Sequence, residues 1–247
     1  MTGAVPTRVV VVGATSVLAV HVLRRWVQAG TPRVHLIGRD ADRLDAVAAD
    51  LRARSSEVEV TASAVDLVDP ASVGAEIAAT VAGVDPDTVL IAHGNMHDQA
   101  AMQQDLGLVA DQLIVGGVSP VLWLEGFADA MPTGMIAILG SPAGDRGRAK
   151  NYLYGASKSM IERAAQGLQH RVALEGGPAI VLIKPGPTRT PMTASSPGNL
   201  AEPADVAKGI ESAVAKRTPV AYVPGIWRWI MLIVRLLPRP IFHRTKF

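Results

Sequence analysis

Seven short runs dominated by Val, Ile and Leu, at 8–12, 33–37, 57–63, 88–92, 135–139, 179–184 and 220–223, recur along the 247-residue chain. They are almost continuous in apolar residues and lack the polar face of a half-exposed sheet, so strands formed from them need helices over both faces. Between them lie alanine-rich segments with helical spacing, at 40–54, 71–82, 98–130, 151–174 and 203–216, each opening near a polar residue or proline. This alternation predicts an α/β chain built on a doubly wound, parallel, seven-stranded sheet in a single domain over 1–225, with a separate apolar, basic segment at 226–247. An apolar fraction of 49% excludes disorder, and the absence of Cys excludes thiol catalysis, zinc-thiolate sites and disulfides. No basic patch of the kind that grips nucleic acid is evident. No secretory signal is expected at the start, and no run of 18 uninterrupted apolar residues predicts a spanning helix.

The turn after the first run reads Gly13-Ala14-Thr15-Ser16-Val17-Leu18-Ala19. A strand-to-helix turn in this place is where a Rossmann-like fold binds a dinucleotide pyrophosphate. Glycines there permit the tight turn and the close approach of backbone amides, and the helix N-terminus supplies positive potential. Only the first glycine is present, and Val17 stands where the closest approach is made. Gly13, Thr15, Ser16, Val17 and Leu18 are therefore candidate cofactor contacts, although an ordinary strand-to-helix turn would read the same way. The second strand ends in Gly38-Arg39, and an arginine beyond the strand tip suits a 2'-phosphate, which leans toward NADP(H) over NAD(H). Asp40 beside it reads as a helix cap. Asp66, after the third strand, is a candidate adenine contact.

The residues that carry chemistry lie in the second half. Ser141 follows the fifth run, Tyr154 comes thirteen residues later, and Lys158 follows Tyr154 by four, on the same helix face. A ketone reduced by hydride needs a proton on its oxygen. A tyrosine can supply it if a neighbouring cation favours the phenolate and lowers its pKa, and Lys158 is placed to be that cation. Ser141 can donate a hydrogen bond to the same oxygen.

Ser141, Tyr154 and Lys158 at this spacing resemble the short-chain dehydrogenase/reductase family. A second similarity is the turn Pro185-Gly186-Pro187-Thr188-Arg189-Thr190, which matches the family turn that holds the nicotinamide. The resemblance covers 8–225. It implies a nicotinamide cofactor touched by Gly94, Tyr154, Lys158, Pro185, Gly186, Thr188 and Thr190, and a homodimer or homotetramer built on the two long middle helices. Two departures stand out. The family's Asn-Asn-Ala-Gly segment is Ile91-Ala92-His93-Gly94 here, and the asparagine that supports the family's proton relay through the lysine falls near Gly116. Either water alone completes the relay or turnover is compromised. His93 and His97 suggest a metal, yet no carboxylate stands at ligand spacing, so no metal site is expected.

Residues 192–203 form a loop long enough for a substrate lid, and Arg146, Arg148 and Lys150 fall where they could line the cleft mouth and hold an anionic group such as phosphate. The C-terminal segment 225–238 reads as an amphipathic helix lying in a membrane surface, with Trp227 and Trp229 at headgroup level and Arg228 and Arg235 on one face. Seven of the 24 Lys and Arg lie after Glu211, where there is no acid, so the first 211 residues carry 17 basic against 22 acidic side chains. The near-neutral total is thus an acidic body with a basic tail that anionic lipid would attract. Packing at an oligomer interface or over the cleft is the alternative. The tail and basic turn look like the subgroup of the family that reduces a decaprenylphosphoryl 2-keto-pentose for cell-wall arabinan. That similarity implies a lipid-linked keto-sugar substrate, a flavin oxidase partner that makes the ketone, and a cytoplasmic location at the inner face of the plasma membrane. The alternatives are a soluble ketoreductase of an acyl, steroid or polyketide carbonyl, and a dinucleotide-binding protein that has lost turnover.

Overall fold

The computed structural model describes residues 5–194 and 199–245. Seven strands, β1 (Arg8–Val12), β2 (Arg33–Gly38), β3 (Glu59–Ala64), β4 (Thr88–Ile91), β5 (Met135–Leu139), β6 (Ala179–Pro185) and β7 (Val220–Val223), form one sheet in the order β3-β2-β1-β4-β5-β6-β7. Every pairing is parallel. The chain moves outward from β1 to β3, then crosses back to β4 and moves the other way. This creates a crevice at the carboxyl ends of β1 and β4, where open α/β sheets bind ligands.

The helices are α1 (Val17–Gln28), α2 (Ala41–Arg52), α3 (Pro70–Val84), α4 (Gln99–Met102), α5 (Leu106–Leu113), α6 (Ser119–Ala130), α7 (Tyr152–Glu175), α8 (Pro203–Ala215), α9 (Ile226–Leu236) and α10 (Arg239–Phe242). The period-2 geometry of β1 feeds two cores at once. Val9 and Val11 pack with Leu23, Trp26, Val206 and Ile210 of α1 and α8, while Val10 and Val12 pack with Trp123, Phe127 and Ile161 of α6 and α7. All four valines are fully buried, each such side chain contributing about 1.5–3 kcal/mol of transfer energy, and this explains why the run tolerates no polar residue.

The strands fall within two residues of their sequence positions, but 98–130 is not a single helix. Asp98 caps α4 by accepting from the Ala101 amide at 3.0 Å, Asp105 caps α5 by accepting from the Gly107 amide at 2.7 Å, and a π-helical turn at Ile114–Val118 separates α5 from α6. The helical run Leu106–Ala130 is also long and apolar enough, by length and composition, to cross a membrane. Counting only uninterrupted apolar residues overlooked it, because Asp111, Glu125 and Asp129 interrupt the run. Its inner stripe, Trp123, Leu124 and Phe127, is fully buried in the core beside the sheet. At the end of the chain, α9 buries Met231 and Val234 and packs beside β7. Part of the loop read as a lid, 195–198, lies outside the described residues, as does Lys246 of the basic tail.

Candidate active site

Ser141 leaves β5 and caps a short 3-10 turn, Pro142–Gly144, its Oγ accepting from the Ala143 amide at 3.1 Å. Two glycines press this turn against the start of α7. A Cβ on Gly155 would lie 2.7 Å from the Ala143 carbonyl oxygen, and one on Gly144 would lie 2.9 Å from the Lys158 backbone. The Ser159 hydroxyl donates to the Gly144 carbonyl at 2.6 Å, fastening the contact. This close approach brings the Ser141 hydroxyl near enough to the Tyr154 phenol to act on its pKa. Lys158 stands one helical turn on, its Nζ 5.8 Å from the centre of the Tyr154 ring. The three expected catalytic side chains are thus brought together at the carboxyl end of the sheet.

Burial pushes the Tyr154 phenol above its ordinary pKa, and the Ser141 hydrogen bond and the Arg148 guanidinium pull it back. In the free protein the Arg148 guanidinium is thus a cation acting on the phenol, one that the spacing of the sequence did not single out. Lys158 is itself only 6% exposed, and burial lowers its pKa to about 8. Gly94 makes room for it, since a Cβ there would lie 3.1 Å from Nζ.

The two histidines have different roles. The Ser119 hydroxyl spends its proton on the Leu67 carbonyl, at 2.5 Å, so the 2.7 Å contact between His93 Nε2 and Ser119 Oγ makes Nε2 the donor. His93 Nδ1 is then a buried acceptor with no partner among the described residues, and burial with the nearby Lys158 charge holds the ring neutral, its pKa lowered to about 3. His97 does have a carboxylate: its Nε2 lies 2.6 Å from Asp111 Oδ2, which corrects the expectation of none. The partner comes from α5, fourteen residues on, where local spacing gave no sign of it. Among the described residues no group of three His, Asp or Glu could hold a metal.

On the β1 side, Gly13 turns at a φ of +75°, and a Cβ on it would strike His93, with 2.6 Å to its Cβ. Ser16 caps α1 by backbone position but forms no side-chain cap, and the first turn holds no acid, so the amides at this helix start remain open to an anion. Thr15, Val17 and Leu18 are half-buried around it. Arg39 and Asp66 are exposed beyond β2 and β3. Asp40 accepts from the Arg43 amide at 3.1 Å, as a cap should, and Asp66 accepts from the Val68 amide at 2.9 Å. On the far side, the Gly186 amide donates to Val223 at 2.8 Å, and the Trp227 indole lies so close that a Cβ on Gly186 would be 2.1 Å from Nε1. Pro185 leads into this turn at the end of β6. Thr188 is buried and donates to the Gly186 carbonyl at 2.8 Å, while Thr190 heads the short turn Pro191–Thr193.

Behind the site, buried Lys184 pairs with Asp145 and, at 2.8 Å, with Glu162, while the Tyr222 hydroxyl donates to Asp145 at 2.8 Å. Burial, reinforced by Asp145, raises the Tyr222 pKa. This cluster anchors the turn that carries Ser141. The next residue corrects a second expectation. Arg146 is not directed to a ligand: its Nη1 donates to the carbonyls of Val234 at 2.5 Å and Leu237 at 2.7 Å, at the end of α9, and its guanidinium stacks 3.8 Å from the Phe242 ring. Arg148 and Lys150 instead line a cavity of about 420 Å³ that Phe242 and His243 close from the tail.

A family model for short chain dehydrogenase matches residues 7–200. An uncharacterized oxidoreductase in the mprA 5' region of Streptomyces coelicolor is 33% identical over 97% of this chain and 96% of its own length. An uncharacterized oxidoreductase of Mycobacterium tuberculosis strain H37Rv is also 33% identical, covering 98% of both chains. Among solved structures, a short chain dehydrogenase from Burkholderia cenocepacia in complex with NADP superposes with a TM-score of 0.83 at 16% identity, covering 97% of this chain and 98% of the other. One from Sphingobium yanoikuyae in complex with NADPH superposes with a TM-score of 0.80 at 22% identity, covering 94% and 96%. The match over most of the chain, on a sheet of this order with Ser141, Tyr154 and Lys158 at its carboxyl end, places the protein in the short-chain dehydrogenase/reductase family of oxidoreductases.

Proposed function

We propose that the protein is an NADP(H)-dependent reductase of a ketone, and the convergence of Ser141, Tyr154 and buried Lys158 beside the sheet crevice is the observation that carries this reading. The residues present fit a dinucleotide: the uncapped start of α1 accepts a pyrophosphate, Gly13 and Gly94 keep side chains out of the crevice, and exposed Arg39 suits a 2'-phosphate. Pro185, Gly186, Thr188 and Thr190 would frame the nicotinamide. When bound, the cofactor supplies a hydride to the carbonyl carbon. Ser141 donates a hydrogen bond to the carbonyl oxygen as negative charge develops there, and Tyr154 transfers its phenolic proton to that oxygen to complete the alcohol. The Lys158 ammonium stabilises the phenolate that remains and returns a proton to it.

For the substrate, the reading is a lipid-linked keto sugar phosphate, for which a flavin oxidase would be the source of the ketone. Arg148 and Lys150 supply cationic lining for a phosphate, and Phe242 supplies an apolar wall. The outer face of α9 exposes Ile226, Trp229, Ile233 and Leu236 among Arg228 and Arg235, which suits the anionic inner face of a membrane. A soluble ketoreductase of an uncharged carbonyl is the rival, favoured by the bonds that tie Arg146 to the end of α9 and fold the tail against the body. The exposed apolar residues Leu106, Ile114 and Val118 on the α5–α6 run, with Met160 on α7, favour a homodimer through these helices. The test is oxidation of NADPH and of NADH with a polyprenyl-phosphoryl keto sugar and with a simple diketone, beside sedimentation with anionic liposomes. Faster turnover of the lipid-linked ketone with NADPH is expected. Turnover of the diketone alone, without liposome binding, would select the rival, and cofactor binding without any turnover would remove the reductase.

A further inference from the structure

The α5–α6 run contains a buried polar device that the chemistry above does not use. Gln112, on the last turn of α5, is 0% exposed. Its amide nitrogen reaches the Asn95 carbonyl at 3.2 Å, the Asn95 Oδ1 at 3.1 Å and the Ser157 Oγ at 3.3 Å, and its Oε1 accepts from the His97 amide at 2.9 Å. Ser157 gives its own proton to the Tyr154 carbonyl at 2.8 Å, so it receives from Gln112. Asn95 in turn donates to Asp111 Oδ2 at 2.6 Å. One buried amide therefore joins three elements: the loop after β4, α5, and the stretch of α7 that carries Tyr154 and Lys158. Burying a glutamine without such partners would cost about 1–3 kcal/mol for each unsatisfied group, so its complete pairing marks a specified position.

The device occupies a particular volume. A Cβ on Gly116, inside the π turn, would lie 2.6 Å from Gln112 Nε2 and 3.0 Å from both Asn95 Oδ1 and Ser157 Oγ. The two amides fill the space that a side chain at 116 would take. The same glycine adjoins the lysine: the Cβ position of Gly94 lies 3.1 Å from Lys158 Nζ and 3.9 Å from the Gly116 Cα. The π turn is closed by the bond from the Ser119 amide to the Ile114 carbonyl, and α7 meets it at Ser157, the residue before Lys158: a Cβ on Gly117 would lie 3.0 Å from the Ser157 carbonyl oxygen. Such turns widen a helix and leave its backbone groups imperfectly paired, which is why they recur at functional sites.

We propose that Gln112, with Asn95, is a positioning residue for Lys158: the amide pair replaces a side chain at position 116, holds the π turn against Ser157, and through that neighbour sets where Lys158 stands to return the proton to Tyr154. The inference rests on the reductase reading for its kinetic arm.

The experiment uses the full chain, NADPH and a simple diketone. Gln112→Ala is expected to lower kcat about tenfold or more, since small misplacements of a catalytic group cost up to about 10²-fold, with the Kd for NADPH within about twofold of wild type. Gly116→Asn alone should be equally damaging, because its side chain meets Gln112. Gln112→Ala combined with Gly116→Asn should recover kcat above either single variant. Gln112→Glu keeps the shape and places a carboxylate against Ser157, the neighbour of Lys158 on α7, and so should raise the pH at which kcat falls. Titration of Lys158 by NMR in ¹³C-lysine protein, assigned with Lys158→Arg, reads the same upward shift without turnover. A Gln112→Ala variant with unchanged kcat, a double variant no better than the singles, or a Lys158 titration that Gln112→Glu leaves in place would each overturn the proposal. If wild type binds NADPH but reduces no diketone, the reductase reading falls, and the NMR arm still decides whether Gln112 sets Lys158.

Discussion

The floor and the rim of the cleft use similar residue types under opposite conditions. On the floor, Lys158, Lys184 and Gln112 are buried, and Lys184 and Gln112 are fixed by partners on several elements. On the rim, α9 exposes Trp229, Ile233 and Leu236 at 60%, 64% and 73%, and only Met231, Val234 and the bonds from Arg146 bind that stretch to the body. A buried charge or amide survives only where geometry satisfies it, so the floor is constrained by the reaction. An exposed apolar helix face carries no such constraint and answers to what it touches outside the chain. The floor therefore answers to the chemistry done over it, and the rim to whatever lies against its exposed apolar face.

The largest effect that would break this division is at the floor. Tyr154→Phe should lower the reduction rate by about 10²–10⁴-fold, the range for a lost general acid, while fluorescence titration shows NADPH binding within about twofold of wild type. Retained turnover would remove Tyr154 as the acid. Next, Lys184→Met should cost about 3–5 kcal/mol in thermal or denaturant unfolding, because it leaves the Asp145 and Glu162 carboxylates buried without their cation. An unchanged midpoint would show that the cluster does not anchor the floor. A smaller effect is expected from pH. Lys158 is charged below about 8 and neutral above it, and proton return needs the charged form, so kcat for reduction should hold below that pH and fall above it. Lys158→Arg should move the alkaline limb upward, and a limb that stays in place would assign it to another group. Smallest for turnover is the rim: Ile233→Glu should abolish sedimentation with anionic liposomes yet change diketone kcat by less than about twofold, as surface substitutions change stability by only about 0.5 kcal/mol. A matching loss of both would join rim and floor into one unit.

Much of the fold was legible because burial on both faces leaves no room for polar residues. Runs such as Val9–Val12 and Ile136–Leu139 declare central strands wherever they occur. Ser141, Tyr154 and Lys158 were legible because one helical turn and one strand end relate them. Arg146 and Arg148 were not separable by spacing: two residues apart, one ends on the α9 carbonyls and the other acts on the Tyr154 phenol. The partnership of His97 with Asp111 and the role of Gln112 were hidden for the same reason, since each depends on how α5 lies against the loop after β4. A faint signal did exist for Gln112: it follows Val109 by three on an otherwise apolar stripe, a position where a polar side chain is buried only if something satisfies it. The π turn had a comparable trace in the adjacent Gly116 and Gly117, both of which α7 or its partners approach too closely for a side chain.

What the sequence determined by itself was whatever follows from period and local chemistry: a parallel sheet between helix layers, the Ser-Tyr-Lys constellation, and a basic tail on an acidic body. Those properties are fixed by residue type at short separation. Only the tertiary structure decided that Arg148 acts on Tyr154, where Arg146 goes, and what stands in the space over Gly116, because each depends on how whole elements pack, across 17 residues for Gln112 with Asn95 and 91 for Arg146 with Leu237. Burial then changes the chemistry of the groups so joined: it raises the Tyr154 phenol and lowers Lys158 to about 8, and no local pattern in the sequence encodes either shift.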